Sequence, residues 1–187
     1  MSGKQYWDEI NRASEKVTSL MHSYWHKYSD WGNWQFWVIL LFLLAPLIVL
    51  LMKLDRIRTF EILFFGYTVH MLWTYTDLSL IRQGFLDHNN FLLPFLPQGL
   101  AITASLIPIS LMLVYQYCLK PDKNFFVWAA GISAILAFGF APMEKGMGLI
   151  SLKNGFTIVH LFFIDLIISI VAYGLTKFFI KFYTARQ

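Results

Sequence analysis

The chain has 187 residues and a formal net charge of +4, with 57% hydrophobic and only 14% charged residues. Soluble domains carry about 25% charged residues, so this composition, with a mean hydropathy of +0.54, excludes an ordinary soluble domain and predicts an integral membrane protein. The basic residues are scattered between apolar runs, which argues against nucleic-acid binding. Cys118 is the single cysteine, so no intrachain disulfide or thiolate metal cluster is expected.

Residues 5–31 predict an amphipathic helix. Aromatic and aliphatic residues recur there at steps of mostly three and four, and charged residues fill the other face. Such a helix just before an apolar run is typical of a helix lying in the membrane interface; the alternative is a soluble helix packed on another subunit. The polar first turns argue against a cleaved signal peptide. The aromatic residues expected at the interface are Trp7, Trp25, Trp31 and Trp34.

Five apolar segments follow, and each is long enough to cross a hydrocarbon core of roughly 30 Å as a helix. The sequence therefore predicts an all-α fold. Residues 34–187 form an integral membrane bundle of about five transmembrane helices, and residues 1–33 form the amphipathic helix that precedes it. The predicted spans are 34–52, 59–80, 97–118, 124–142 and 156–179.

Basic residues near the span ends predict the orientation of the bundle. They are more numerous on the side that holds the C-terminus, so the positive-inside rule favours a cytoplasmic C-terminus and an outer N-terminus. Three residues farther out on the N-terminal segment reduce this bias. The C-terminal side holds Lys53, Arg56, Arg58, Lys120, Lys123, Lys177, Lys181 and Arg186; the other side holds Lys27, Arg82, Lys145 and Lys153, with Lys4, Arg12 and Lys16 farther out.

The fourth predicted span carries a face of small residues. Small side chains let helices approach closely in lipid, where no hydrophobic force drives their association. Packing within the bundle is the first interpretation, and oligomerisation is the alternative. The residues are Ala130, Ser133, Ala134, Ala137 and Ala141.

Two spans contain ionisable residues at membrane depth. Such groups cost several kcal/mol in lipid, so they normally face the bundle interior and find partners. By depth, Asp77 of the second span is expected to pair with His160 of the fifth. His70 and Asp165 lie deeper and form a second expected pair, although the two fifth-span residues are about 140° apart on their helix. A proton or ion relay, a polar ligand pocket and a structural clamp all remain open. The predicted buried polar cluster comprises Tyr67, His70, Thr74, Asp77, His160 and Asp165.

Charged residues in the loops form two further groups. Asp55, Arg58 and Glu61 follow each other at steps of three in an inner loop and the first turn of the second span, so Arg58 can pair with either acid. In an outer loop, Glu144 is expected to form a solvated pair with Lys145.

No catalytic residue, cofactor or metal site is predicted. His22 and His26 have a spacing that could share a metal ion, but no third ligand accompanies them. The glycines of the outer loop 143–155 lack the strand-to-helix context of a phosphate-binding loop.

Several segments carry a resemblance to a known family: DRIRTFEILFFG (55–66) with Asp77 eleven residues beyond Gly66, LLPFLP (92–97), IPISLMLVYQY (107–117) and GLISLKNGF (148–156). From about Trp25 onward the chain resembles small multi-spanning membrane proteins of Gram-positive, often spore-forming, bacteria. The resemblance implies the five-span fold and a bacterial cell membrane, and it brings no activity with it. Thr103 stands where the family carries an acid, and Ala141-Pro142 stands where it carries Glu-Pro.

The first expectation for function is a non-enzymatic membrane scaffold, sensor or assembly subunit. The alternative is a small oligomeric transporter or channel that uses the intramembrane Asp and His residues, although five spans are few for inverted repeats. An intramembrane enzyme acting on lipid is a third hypothesis, for which the chain offers acid–base groups but no nucleophile. The expected partners are the lipid bilayer and either a second copy of the chain or another membrane protein.

Overall fold

The computed structural model describes residues 1–184, and over this range the chain is mostly helical. The predicted all-α class is therefore confirmed, with the addition of one small two-stranded sheet. Arg186, counted above for orientation, lies outside the described residues. The elements are α1 (Gly3–Tyr28), α2 (Trp34–Lys53), α3 (Thr59–Arg82), β1 (Leu86–His88), α4 (Ile102–Tyr117), α5 (Phe125–Gly146), β2 (Ile150–Leu152) and α6 (Ile158–Thr184).

Three of these helices, α2, α5 and α6, are long and apolar enough to cross a membrane. Helix α4 is apolar but shorter, and α3 contains several polar and ionisable residues. Helix α2 lies at the edge of the bundle, where Leu50 is buried while Trp37, Leu41 and Ile48 are exposed. A continuous exposed apolar surface of this kind marks contact with lipid or with another protein.

Helix α3 lies at the centre of the bundle and packs most extensively against α4 and α6. Its buried residues Ile62, Phe65, Val69 and Trp73 recur at steps of three and four, so they share one face. Gly66 on the same helix permits the close approach of α4, because a Cβ atom there would overlap the side chain of Met112.

Aromatic rings fill the half of the bundle that lies away from the sheet. Phe65 stacks on Tyr115 and Phe125 stacks on Tyr173, each with ring centroids 4.5 Å apart. The two stacked pairs meet edge to face, with the Phe65 and Phe125 centroids 5.7 Å apart. This half of the bundle is therefore a packed apolar core.

The small residues of α5 pack inside the bundle. Ser133, Ala137 and Ala141 are all buried, in agreement with the first of the two interpretations given for that face.

The sheet joins the connection after α3 to the connection after α5. Strands β1 and β2 are antiparallel, with Leu86 opposite Leu152 and His88 opposite Ile150. Three-residue strands are too short to give a readable alternation of polarity, which is why the sequence did not predict them. We call the end of the bundle that carries this sheet the sheet end, and the other the opposite end.

Two helices contain a π-helical stretch that ends two residues before a proline. These are Ile102–Leu106 in α4, ahead of Pro108, and Ile135–Phe140 in α5, ahead of Pro142. In both helices the residue before the proline donates its N–H to the carbonyl five residues back. In this register Pro108 leaves the carbonyl of Thr103 without its helical donor, because proline has no N–H.

Helix α1 forms near the predicted position and is exposed along almost its whole length. A capping box starts it: the Gln5 N–H donates to Ser2 Oγ, and the Ser2 N–H donates to Gln5 Oε1. Of the four tryptophans expected at the interface, Trp7, Trp31 and Trp34 are exposed. Trp25 is instead buried against the sheet end, where its indole N–H donates to the Phe91 carbonyl over 3.0 Å.

A buried acidic cavity as the candidate functional site

A cavity of about 60 Å³ lies inside the sheet end, bounded by α3, α4, α5, α6 and the two strands. Its walls are mostly apolar, with Leu86, Ile107, Phe140 and Leu161 among the lining residues. Both π-helical stretches border it, and such stretches are frequent at functional sites. Its ionisable lining residues are Asp77, His88, Glu144 and Asp165, and we refer to it as the acidic cavity.

Asp77 and His88 form a buried pair that fastens β1 to α3. His88 Nε2–H donates to Asp77 Oδ1 over 2.8 Å, and both side chains are almost fully buried. The backbone N–H of Gly99 lies 3.4 Å from the other oxygen, Asp77 Oδ2. A Cβ atom on Gly99 would overlap the His88 ring, so the glycine allows the imidazole to reach the carboxylate.

The surroundings of His88 determine its charge. Burial by itself lowers the pKa of His88, but the hydrogen bond and charge of Asp77, together with the charges of Glu144 and Asp87, outweigh burial and raise this pKa above its ordinary value. The imidazole therefore holds its proton to higher pH than a free histidine, as an ion pair with Asp77 requires.

Only one of the two carboxyl oxygens of Asp165, on α6, receives a hydrogen bond of good geometry. The Trp73 indole N–H donates to Asp165 Oδ1 over 2.9 Å, whereas Oδ2 is buried and has no hydrogen-bond partner among the described residues. The Ser133 hydroxyl lies close enough to interact with the Asp165 carboxyl group, but it too forms no hydrogen bond of good geometry within residues 1–184. A buried carboxyl oxygen without a donor is costly, so a bound water, proton or cation would stabilise it.

Glu144 is also buried in this site, with 6% of its surface exposed. No hydrogen bond reaches its carboxyl group from any residue of the range 1–184. The expected solvated pair with Lys145 is wrong, because α5 continues to Gly146 and turns Glu144 inward while Lys145 stays exposed.

The predicted Asp–His pairs between the second and fifth spans are wrong. Asp77 pairs with His88 and Asp165 with Trp73. His70 donates from Nδ1 to the carbonyl of Thr103 over 2.9 Å, the carbonyl that Pro108 leaves without a helical donor. A carbonyl can only accept, so the Nδ1 atom carries the proton.

Three further members of the predicted cluster lie outside the cavity. Thr74 is half-buried beside His70, with its Oγ1 atom 3.3 Å from the imidazole Nδ1 atom. Tyr67 is 62% exposed on the outer surface of α3. His160 is also exposed and accepts from the Thr157 N–H at the start of α6. The predicted burial of these last two residues is wrong, because the inward face of α3 is the Phe65–Val69–Trp73 face and His160 faces away from α3.

The predicted charge cluster Asp55, Arg58 and Glu61, at the opposite end, also has partners other than the predicted ones. Glu61 accepts from Tyr115 Oη at 2.5 Å and from Lys177 Nζ at 3.2 Å. Asp55 Oδ1 accepts the N–H of Ile57 within its own turn, over 2.8 Å. Arg58 pairs with neither acid within the described range, so the predicted helical pairing is wrong: the two carboxylates have closer partners elsewhere.

His88 is the functional-site residue that sequence reasoning missed. It lies in a polar connection outside every predicted span, and only the pairing of β1 with β2 places it beneath the sheet. Within residues 1–184, no group of three or more His, Cys, Asp or Glu side chains is arranged to hold a metal ion.

Comparisons of this chain with protein-family models, with curated proteins and with solved structures find no match.

Proposed function

We propose that this chain is a non-enzymatic sensor subunit of the bacterial cell membrane. The acidic cavity takes up a small monovalent cation, the proton included. The resulting change in charge alters the position of the segment 86–91, which contacts α1. We call this segment the cap; it comprises β1 and the three residues that follow it.

A five-span bundle formed by α2–α6, with the C-terminus on the cytoplasmic side, supplies the membrane setting of this proposal. Helix α3 has 24 residues, which at 1.5 Å per residue is about 36 Å and exceeds a hydrocarbon core of about 30 Å. Helix α4 is shorter, but part of the connection before it is buried in the protein, at Phe91 and Leu92. Non-helical backbone is tolerated at membrane depth when it is buried in this way.

The observation that carries the cation proposal is the pair of unpartnered carboxyl groups in one cavity. Asp165 Oδ2 is a buried oxygen without a partner, and Glu144, buried as a residue, receives no hydrogen bond within residues 1–184. A carboxyl group in such surroundings is stable when protonated or when a cation lies beside it. A volume of about 60 Å³ accommodates a few water-sized groups.

A residue of the cavity wall also has a carbonyl without its helical donor. Pro142 has no N–H to offer the Ala137 carbonyl in the π-helical register, and Ala137 lines the cavity.

The cap links the cavity to α1 through consecutive residues. His88 borders the cavity, and the next residue, Asn89, accepts the Tyr24 hydroxyl on its carbonyl over 2.9 Å. Asn90 Nδ2 donates to the Tyr28 carbonyl over 2.7 Å. A change in charge at the His88–Asp77 pair therefore acts directly on the segment that holds the end of α1.

A binding protein is favoured over a channel by the packing of the opposite half of the bundle. The stacked rings of Phe65, Tyr115, Phe125 and Tyr173 occupy the route that ions would need beyond the cavity. This packing argues against the transporter or channel alternative.

The proposal is tested by measuring the distance between α1 and the bundle in reconstituted protein. Nitroxide labels are placed by Ser14→Cys on α1 and Ser79→Cys on α3 in a Cys118→Ser background, since Cys118 is the single native cysteine. Pulsed electron paramagnetic resonance is recorded at several pH values, and with methylammonium or the bulkier tetramethylammonium at equal ionic strength. We expect acidification or methylammonium, and not tetramethylammonium, to shift the distance distribution.

The matched variants are Glu144→Gln in the cavity and Asp122→Asn at an exposed site of the opposite end. The shift should be lost in Glu144→Gln and kept in Asp122→Asn. The proposed function is contradicted if the distance distribution changes with neither pH nor methylammonium, or if it shifts equally in the two variants.

A further inference from the structure

A second cleft, of about 420 Å³, opens at the opposite end of the bundle, between the ends of α2 and α4 and the start of α3. Three cations line it, Lys53, Arg58 and Lys120, together with one carboxylate, Asp55. Leu113 and Leu119 give it an apolar wall. We call it the basic cleft.

The walls of the basic cleft are held by a side-chain amide. Gln116 Nε2 donates to the Lys53 carbonyl over 2.8 Å, and the Asp55 N–H donates to Gln116 Oε1 over 2.8 Å. Gln116 thus ties the end of α4 to the turn between α2 and α3. The shape of the cleft is therefore fixed by hydrogen bonds between Gln116 and the backbone of the turn.

The positive charge of the cleft is not neutralised within the protein. Over residues 1–184, none of its three cations forms an ion pair. The Asp55 carboxylate is held by the N–H of Ile57 in its own turn. Three cations against one carboxylate leave a net charge of two positive units facing the cleft. A bound anion is the natural counterpart of such a cluster.

The flanks of the cleft are strongly apolar and exposed. Ile57 is 95% exposed and Phe60 is 89% exposed, one residue before and two residues after Arg58 in the chain. Lys53 is the last residue of α2, a helix apolar enough to span a membrane. A ligand that fits both features carries a negative headgroup and apolar chains.

We propose that the basic cleft binds the phosphate of an anionic phospholipid headgroup, with the acyl chains running along the exposed faces of α2 and α3. Basic pockets between membrane helices commonly bind anionic lipid headgroups. This site is separate from the acidic cavity. It uses the five-span arrangement only to place the cleft at the bilayer surface.

The test measures lipid binding to the full chain in detergent by native mass spectrometry, with phosphatidylglycerol and phosphatidylcholine as probes. We expect one phosphatidylglycerol to bind at least fivefold more tightly than phosphatidylcholine. The site variant Arg58→Gln/Lys120→Gln should lose at least fivefold in phosphatidylglycerol affinity. The control Arg82→Gln/Lys145→Gln removes the same charge from exposed residues of the sheet end and should change the affinity by less than twofold.

Two further arms separate the outcomes. The charge-conserving variant Arg58→Lys/Lys120→Arg should retain binding, and if the site double variant does not fold, Lys53→Gln alone should weaken binding at least twofold. Inorganic phosphate at millimolar concentration should not displace the lipid. Equal affinity for the two lipids, equal loss in site and control variants, or displacement by free phosphate overturns the proposal.

Discussion

Both ends of the bundle hold carboxylate side chains between helices, but the carboxylates at the two ends differ in their hydrogen-bond partners. At the opposite end Glu61 receives the Tyr115 hydroxyl and the Lys177 ammonium. At the sheet end Glu144 receives no hydrogen bond and Asp165 is satisfied on one oxygen only, within residues 1–184. A carboxylate with partners stabilises the fold it is built into, whereas one without partners is a cost. The difference therefore separates a structural site from a candidate binding site that contains the same chemical group.

The largest effect is expected from removing the carboxylate that fastens the cap. Asp77→Ala leaves His88 buried without its partner, and breaking a buried pair in this way costs about 3–5 kcal/mol in the free energy of unfolding. Chemical unfolding in detergent micelles measures the loss. The control is Asp87→Ala, since the Asp87–Lys153 pair is exposed and should contribute less than about 1 kcal/mol. Equal losses in the two variants would show that the Asp77–His88 pair does not fasten the cap.

A smaller loss is expected at the satisfied carboxylate of the opposite end. Glu61→Gln keeps an acceptor for Tyr115 but leaves Lys177 without a counter-charge, and we expect about 1–3 kcal/mol of destabilisation. The same unfolding measurement applies. Tyr115→Phe, which retains the Glu61–Lys177 pair, should cost less than Glu61→Gln; the reverse order would assign the main role to the hydroxyl.

The difference in pH dependence between the wild type and a His88 variant reports on the charge of His88. Because its pKa is raised in the folded protein, the stabilisation from its pair with Asp77 is fully present below the ordinary value of 6.5. It is lost as the pH rises through the raised folded pKa. Melting temperatures are compared from acid to mildly alkaline pH for the wild type and for His88→Gln. The difference between the two melting temperatures should become smaller as the pH rises. A difference that grows with pH would contradict stabilisation by protonated His88.

The smallest effect is expected at the unpartnered carboxylate. Glu144→Gln removes a buried group that has no hydrogen bond to lose, so stability at neutral pH should stay within about 1 kcal/mol of the wild type or rise. Paired with Glu61→Gln, this variant tests the contrast between the two ends. A loss at Glu144 as large as that at Glu61 would mean that the sheet-end carboxylate is also structural.

The helices were predictable because their signals are local. The observed α2, α3 and α5 begin within one residue of the predicted starts, and α1 lies within a few residues of its prediction. The third prediction began too early at residue 97, because apolar residues of the connection before α4 extend the hydrophobic run without being helical. Asp77 and Asp165 were found because a carboxylate inside an apolar run stands out in the sequence.

The partners of these residues were not predictable in the same way. The sequence predicts both His88 and Glu144 in loops. The burial of His88 depends on the pairing of β1 with β2, and the burial of Glu144 depends on how far α5 continues. The π-helical stretches also left no clear signal, although the proline that follows each one explains which carbonyl becomes free.

The sequence by itself determined the helical class, the apolar segments and the presence of carboxylates among them, since each depends on composition and on spacing along one helix. Tertiary structure alone decided which carboxylates are satisfied. A hydrogen bond depends on which side chains from distant segments come within about 3 Å of each other. That meeting depends on helix rotation, on the two three-residue strands and on the glycine that admits the His88 ring.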